Sequence, residues 1–365
     1  MIYLDYQATT PLAPEVREAM LPWLVGEAEG DGFANPASPY RAGRAASVAV
    51  EMARDAVAAL LPPGGRVFFT SGATEAINWA LFCGARVKPG GVVGSAIEHA
   101  AGLQCIEALG GSLLPVGAYG LLPVPAADAL PEGGIVATML VNNEIGTIQP
   151  VAAIAEVAHA RGSWMLCDAV QGFGRIVIPE GPDLIAVTAH KIHGPKGIGA
   201  LWVRDGVALP PFMRGGAQEQ GMRAGTVSPA LCAGFGAAAR LAAERMDADA
   251  AHVARLWDIA LDELQGWEIN GATGEGQRWR GNLNIRRDGV NATRLLSDAR
   301  QVAFSLGSAC GSGSGRVSHV LRAIGLSEAD ARSSIRLGWG RYTSEETLRA
   351  GLGAIKAAAA LQGHI

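Results

Sequence analysis

Cysteine is scarce in this 365-residue chain, with five residues (Cys83, Cys105, Cys167, Cys232 and Cys310), an odd number without a CxxC pair. That usage excludes a disulfide framework and a cysteine-ligated metal site, and it fits a reducing cytoplasm. A dominant charge is missing too: 30 Lys+Arg face 34 Asp+Glu, so the net charge of -4 draws the chain neither to nucleic acid nor to an anionic membrane. No uninterrupted apolar run reaches the roughly 18 to 20 residues of a membrane span. The opening residues Met1-Ile-Tyr-Leu-Asp5 lack the basic and apolar regions of an export signal. A soluble, cytoplasmic protein is expected, with no direct nucleic-acid or membrane partner. There is also no fixed internal repeat and no GxGxxG in a strand-turn-helix setting, which sets aside a dinucleotide-binding module.

What is abundant is apolar residue and glycine. Apolar residues make up 49% of a length that corresponds to two domains of ordinary size, enough for a core in each. Glycine, at 49 residues, is nearly twice its usual share of about 7%, which implies many tight turns. Short apolar runs alternate with helical periodicity, the pattern of an α/β sheet covered by helices. Strands are expected at 66–70 (RVFFT), 91–97, 135–141 (IVATMLV), 164–168 (WMLCD), 184–188 (LIAVT) and 200–204. Helices are expected from Pro14 and over 41–61, 74–85, 100–109 and 151–161, so the sheet reads as mostly parallel. After a long alanine-rich helical stretch at 228–265, strands return at 281–285, 302–306 and 334–337, with a helix at 317–324. The expected division is a large domain over 14–245 and a smaller α/β domain over 246–365, joined by an N-terminal segment over 1–13.

Ligands of open α/β sheets collect beyond the carboxyl ends of strands. Immediately after the strand LIAVT come His190 and Lys191, and a lysine there can form a Schiff base if neighbouring cations ease its deprotonation. Asp168 closes the strand WMLCD and is followed by Gln171. A strand-end carboxylate can keep a pyridinium nitrogen protonated, so the Asp168 and Lys191 pairing is what pyridoxal phosphate chemistry requires. Thr70-Ser-Gly-Ala-Thr74 lies between a strand and a helix, where glycine and a helix N-terminus make an anion cradle. His99 follows another expected strand, and its residue type serves equally as a helix cap, a core histidine or a ring that stacks on a cofactor.

Ten blocks in order carry a family resemblance: YLDYQATTP (3–11), NPASPYRAGR (35–44), FTSGATEA (69–76), IEHAA (97–101), VNNEIGTIQP (141–150), DAVQGFG (168–174), TAHKIHGPKGIGAL (188–201), GGAQEQGMRAGT (215–226), GSAC (307–310) and SHVLRAIGL (318–326). Nearly end to end, the chain resembles cysteine desulfurases of the nitrogen-fixation type, in the class V aminotransferase group of fold-type I pyridoxal phosphate enzymes. The resemblance implies Lys191 as the Schiff-base lysine, Asp168 at the pyridine nitrogen, and Gln171 and Asn143 near the phenolic oxygen. It implies His99 stacked on the ring as a proton shuttle. It also places Ala73, Thr74, Thr188 and His190 around the phosphate, with Thr226 supplied by a second subunit of a homodimer. L-cysteine is the implied substrate, L-alanine the product, and a sulfur-acceptor protein, such as an iron-sulfur assembly scaffold, the implied partner. A selenocysteine lyase or an aminotransferase on the same scaffold is the alternative.

Cys310 separates these activities. It lies in a Ser/Gly stretch, Ser305-Leu-Gly-Ser-Ala-Cys-Gly-Ser-Gly-Ser-Gly315, which gives a loop little to pack against and freedom to swing, whereas the other four cysteines lie in apolar runs and read as core. The resemblance makes Cys310 the nucleophile that carries the persulfide. It likewise makes Arg336 the fork that grips the substrate carboxylate. The sequence departs from the family pattern at Tyr40, at Tyr6-Gln7, at Gly311 and at Gly338, where His, a small polar pair, Ser and Ser are common.

Overall fold

The computed structural model describes residues 1–307 and 317–363. Its centre is a seven-stranded sheet in the spatial order Gly65–Thr70, Gly199–Arg204, Leu184–Thr188, Trp164–Asp168, Ile135–Met139, Val92–Ser95, Ser112–Leu114. Only Gly199–Arg204 runs against its neighbours; the other pairings are parallel. The strands Ile135–Met139 and Leu184–Thr188 are buried at every position, as continuous apolar runs covered by helices on both faces must be. The mostly parallel sheet expected from the sequence is therefore present; the runs expected at 91–97 and 135–141 shorten to Val92–Ser95 and Ile135–Met139, and the edge strand Ser112–Leu114 is added.

A four-stranded antiparallel sheet follows, in the order Ser305–Leu306, Ser334–Gly338, Asn282–Arg286, Glu268–Asn270. The 35-residue helix Pro229–Glu263 leads into it, started by the Ser228 side chain, which accepts from the Leu231 N–H. That helix packs on Arg41–Ala58 through small residues, so closely that a Cβ at Gly236 would lie 2.6 Å from the Cα of Ala53. No helix among the described residues is long and apolar enough to cross a membrane.

Three local expectations are corrected. The run 302–306 is not one strand: Val302–Ala303 pairs in parallel with Ile2–Tyr3, whereas Ser305–Leu306 joins the antiparallel sheet, with buried Phe304 at the changeover. The helix expected over 74–85 is α-helical at Ala73–Asn78 and then widens into a π-turn at Trp79–Cys83. There the fully buried Trp79 donates its indole N–H to the Pro210 carbonyl at 2.8 Å. Finally, the helix read at 317–324 contracts to His319–Ala323.

The N-terminal segment stitches the two sheets. Leu4 donates its N–H to the Ala303 carbonyl and accepts from Gly338 N–H, while Thr10 and Ala13 donate to the carbonyls of His190 and His193. Cys83, Cys105, Cys167 and Cys232 are all buried free thiols, in keeping with their apolar runs. Burial pushes each of these thiols up, so none is a thiolate at neutral pH.

Candidate active site

The carboxyl ends of the parallel strands open on one cavity of about 540 Å³. It gathers residues that are far apart in sequence: Ala73 and Thr74, His99, Asn143, Asp168 and Gln171, Thr188, His190 and Lys191, and Arg336. Of the residues singled out in the sequence, Thr226 is not among them; it is exposed and lines a separate cavity of about 410 Å³ with Asn35 and Gln218. Cys310 lies outside the described residues.

Asp168 is buried, and its Oδ1 accepts from the Val170 N–H at 3.0 Å. Burial pushes its carboxyl up, against the pull of His99, the Val170 N–H and Lys191. Behind it Glu98, wholly buried and accepting from the Met139 N–H, is pushed well above the usual carboxylate range by burial, with Asp168 adding to the effect. Asp168 thus lines the cavity, with Glu98 buried behind it, and burial disfavours the charge of both.

Lys191 sits on the short turn Ala189–Lys191 after its strand, and its Nζ donates to the backbone carbonyls of Gln7 and Ala8, the latter at 2.8 Å. Arg175, which the sequence reading passed over, fixes this arrangement. Its guanidinium donates to the Lys191 carbonyl at 2.7 Å and to Gln171 Oε1 at 2.6 Å, and Gln171 Nε2 donates in turn to the Gln7 carbonyl at 3.0 Å. Burial draws Arg175 down to about 10. Only its place at the end of DAVQGFGR hinted at such a role.

The cradle at Ser71–Thr74 is braced from both sides by carboxylates. Glu219, on a left-handed residue (φ 48°), accepts from both terminal nitrogens of Arg54 and from the Phe69 N–H at 2.7 Å. Glu75 accepts from the Ser71 N–H at 2.7 Å and from Arg223 at 2.7 Å. Between them Gly72 opens the helix and has open space where a Cβ would stand. A phosphate fits here, at a helix start beside Thr74, with Lys196 also lining the cavity. An aldehyde-bearing pyridine fits between Lys191 and Asp168, because the donor set supplies an amine on one side and a buried carboxylate on the other.

His99 caps the helix Ala100–Ala108, its Nδ1 accepting from the Ala101 N–H at 3.1 Å, and its ring also lines the cavity. The helix cap that the sequence allowed is present. Arg336 is a buried strand residue rather than a surface ion pair: Nη2 donates to Asp5 Oδ1 at 2.7 Å and to Ser305 Oγ at 2.8 Å, and Nη1 donates to the Asn143 carbonyl at 3.2 Å. Asp5, Gln7, Glu144 and His319 are further site neighbours that the sequence left unassigned, although all stand inside the family blocks.

Two departures from the family pattern prove to be one. A Cβ at Gly338 would lie 1.7 Å from Oε1 of Gln7, whose Nε2 is tied to the Gly281 carbonyl at 2.7 Å. A larger side chain at 7 therefore requires glycine at 338. Tyr6, similarly, packs its ring where a Cβ at Gly340 would come within 2.8 Å of it. Replacing Gly338 with Ser in this chain is expected to cost about 1–3 kcal/mol as overpacking. The Gln7→Ala, Gly338→Ser double variant should recover most of that loss in thermal melts; equal losses with and without Gln7 would contradict the coupling.

His190, whose Nδ1 meets Thr9 Oγ1 at 3.1 Å, and His193, whose Nδ1 meets the Pro11 carbonyl at 2.9 Å, are both drawn down to about 4, chiefly by burial. The unfolded chain protonates both near pH 6.5, so between about 6.5 and 4 it binds more protons than the folded chain. Stability is thus expected to fall as pH drops through that window, with no contribution from these rings above it. His193→Asn, which suits the left-handed backbone there (φ 67°), should flatten the fall in urea midpoints; an unchanged slope would contradict it.

Comparison with known proteins matches the family described as aminotransferase class-V over residues 2–350. The chain is 39% identical to "Cysteine desulfurase IscS" of Rickettsia akari, over 95% of this chain and 88% of that one. Among solved structures it is similar to a "NIFS-LIKE PROTEIN" with a TM-score of 0.89 and 28% identity, covering 99% of both chains. It is also similar to "SspA in complex with cysteine" with a TM-score of 0.80 and 32% identity, covering 94% of this chain and 99% of that one. The chain belongs to the aminotransferase class-V family, whose members depend on pyridoxal phosphate.

Proposed function

We propose that this chain is a cysteine desulfurase that converts L-cysteine to L-alanine and leaves the sulfur as a persulfide on Cys310. The observation that carries this reading is the convergence of Lys191, buried Asp168, the Ser71–Thr74 cradle and Arg336 on one cavity in a chain 39% identical to a named cysteine desulfurase.

Bound pyridoxal phosphate supplies an electron sink for the carbon atoms beside the substrate's amine. The chain's own residues do the rest. Ala73, Thr74, Thr188 and His190 hold the phosphate, and His190, kept neutral, accepts or donates one hydrogen bond without adding charge beside Lys191. Asp168 holds the proton on the pyridine nitrogen, and Gln171, fixed by Arg175, and Asn143 serve the phenolic oxygen. Lys191 Nζ would hold the cofactor's aldehyde and, with substrate bound, would take the Cα proton. Arg336, aligned by Asp5 and Ser305, orients the substrate carboxylate. His99 presents its ring to the cofactor, with Nδ1 retained by its helix cap.

In the sulfur step the Cys310 thiolate attacks the substrate sulfur. The S–S bond forms, the C–S bond breaks with its electron pair left on Cβ, and Cβ takes a proton. Atoms balance as L-cysteine plus thiol giving L-alanine plus persulfide, with no outside oxidant. The outer sulfur then passes to a thiol of an acceptor protein, which returns Cys310 to its thiol; an iron-sulfur assembly scaffold in the cytoplasm is the proposed acceptor.

The working unit is proposed to be a homodimer. Thr226 stands exposed and apart from its own chain's Lys191, as a residue serving a second copy would, and Tyr40, Val48 and Met52 leave apolar side chains exposed on and beside the helix Arg41–Ala58.

Cys310→Ala is expected to retain the bound cofactor's absorbance while releasing no sulfur from cysteine, and wild-type protein mixed with cysteine should gain one sulfur atom at Cys310 by peptide mass mapping. Unchanged sulfide release by the variant, or a keto acid in place of alanine, would sink the proposal.

A further inference from the structure

The Ser71–Thr74 cradle has its nearby charges already cancelled. Glu75 takes Nε and Nη2 of Arg223 at 2.7 and 3.1 Å, and Glu219 takes both terminal nitrogens of Arg54. The same carboxylates consume backbone donors, since the Ser71 and Phe69 N–H groups go to Glu75 and Glu219 rather than to a ligand. His190, which lines the same cavity, is drawn down to about 4, by burial first and then by Lys191 and Lys196, so it is neutral at physiological pH. A phosphate monoester brings a charge of about −1.5 to −2 at neutral pH. It finds hydrogen bonds at the cradle but no cation there that is not already spent.

The cavity has three cationic side chains other than its histidines, and two of them are committed. Lys191 donates to the Gln7 and Ala8 carbonyls, and Arg336 is held by Asp5 and Ser305. Lys196 is the third: it lines the cavity, is solvent-exposed, and makes no hydrogen bond or ion pair among the described residues. Its stretch of chain runs over the cradle. Gly197 is left-handed (φ 86°) and turns the backbone into the strand Gly199–Arg204, whose first residue pairs with Thr70. At that crossing a Cβ on Gly199 would lie 2.7 Å from the Cα of Gly72, so the two backbones touch only a few residues from Lys196. The downward pull of Lys196 on His190 shows that its charge is felt inside the cavity.

We propose that Lys196 supplies the positive charge that meets the cofactor's phosphate, and that it thereby makes this chain discriminate pyridoxal phosphate from pyridoxal. Lysine suits the place, because a compact ammonium on a flexible stem meets a phosphate as a point charge and needs no fixed fork geometry. The cradle orients the phosphate, and Lys196 neutralises it from the solvent side. An exposed pair of this kind is weakened by salt. The proposal rests on the placing of the phosphate at Ser71–Thr74 and is independent of the sulfur step.

The test resolves full-length holoenzyme with hydroxylamine and titrates the apo chain with pyridoxal phosphate and with pyridoxal, for wild type, Lys196→Met and Lys196→Arg. Binding is followed by absorbance, and thermal midpoints of the apo proteins check the fold. Lys196→Met is expected to bind pyridoxal phosphate about tenfold more weakly and pyridoxal as wild type does, while Lys196→Arg stays within about threefold of wild type for both. Raising NaCl from about 0.05 to about 0.5 M should weaken pyridoxal phosphate binding to wild type more than to Lys196→Met. A Lys196→Met loss below about twofold, or an equal loss for pyridoxal, would overturn the proposal. Wild type that binds the two compounds equally would instead refute the placing of the phosphate. A wild type that prefers the phosphate, with Lys196→Met unchanged, would dismiss Lys196 alone and leave that placing standing.

Discussion

Asp168 is a carboxylate shut away from water at the end of a strand, and the surrounding structure answers that constraint. Taking such a group out of water costs several kcal/mol unless positive charge or hydrogen bonds replace the solvent. The chain offers a backbone N–H and the nearby His99 and Lys191, yet burial still holds the carboxyl above its ordinary value, and Asp168 in turn helps raise the buried Glu98 behind it. On the proposed reading, a pyridinium nitrogen beside Asp168 would offset that cost, and the cradle at Ser71–Thr74 would receive the phosphate.

The thirteen N-terminal residues make the second contribution. Asp5 aligns Arg336 from the antiparallel sheet, the Gln7 and Ala8 carbonyls receive Lys191, Thr9 and Thr10 bind the His190 turn, and Gln7 fixes the space beside Gly338. One extended segment therefore registers Arg336 against Lys191 across two sheets. Neither sheet alone contains the site.

Much of this was legible in the sequence because it depends on strand ends. Apolar runs such as WMLCD and LIAVT announce where a buried strand stops, and the polar residue that stops it, Asp168 or Thr188, must then face the ligand edge. The parts that escaped lack such a marker. The Ser112–Leu114 edge strand is three half-exposed residues, too short for any periodicity. The run 302–306 looks like one strand because burial alone cannot tell which of two sheets a residue joins. Arg175 is a half-buried arginine that donates to three carbonyl oxygens, the Gln171 backbone and side chain and the Lys191 backbone, a use invisible in composition. The coupling of Gln7 with Gly338 is a contact between residues hundreds of positions apart, which spacing does not reveal.

The most direct measurement of the cofactor assignment is borohydride reduction of purified holoenzyme followed by proteolysis and peptide mass mapping. The geometry predicts a reduced pyridoxyl group on Lys191 alone. A label on Lys196, the other lysine lining the cavity, or on a lysine elsewhere, or no label on protein saturated with pyridoxal phosphate, would contradict it.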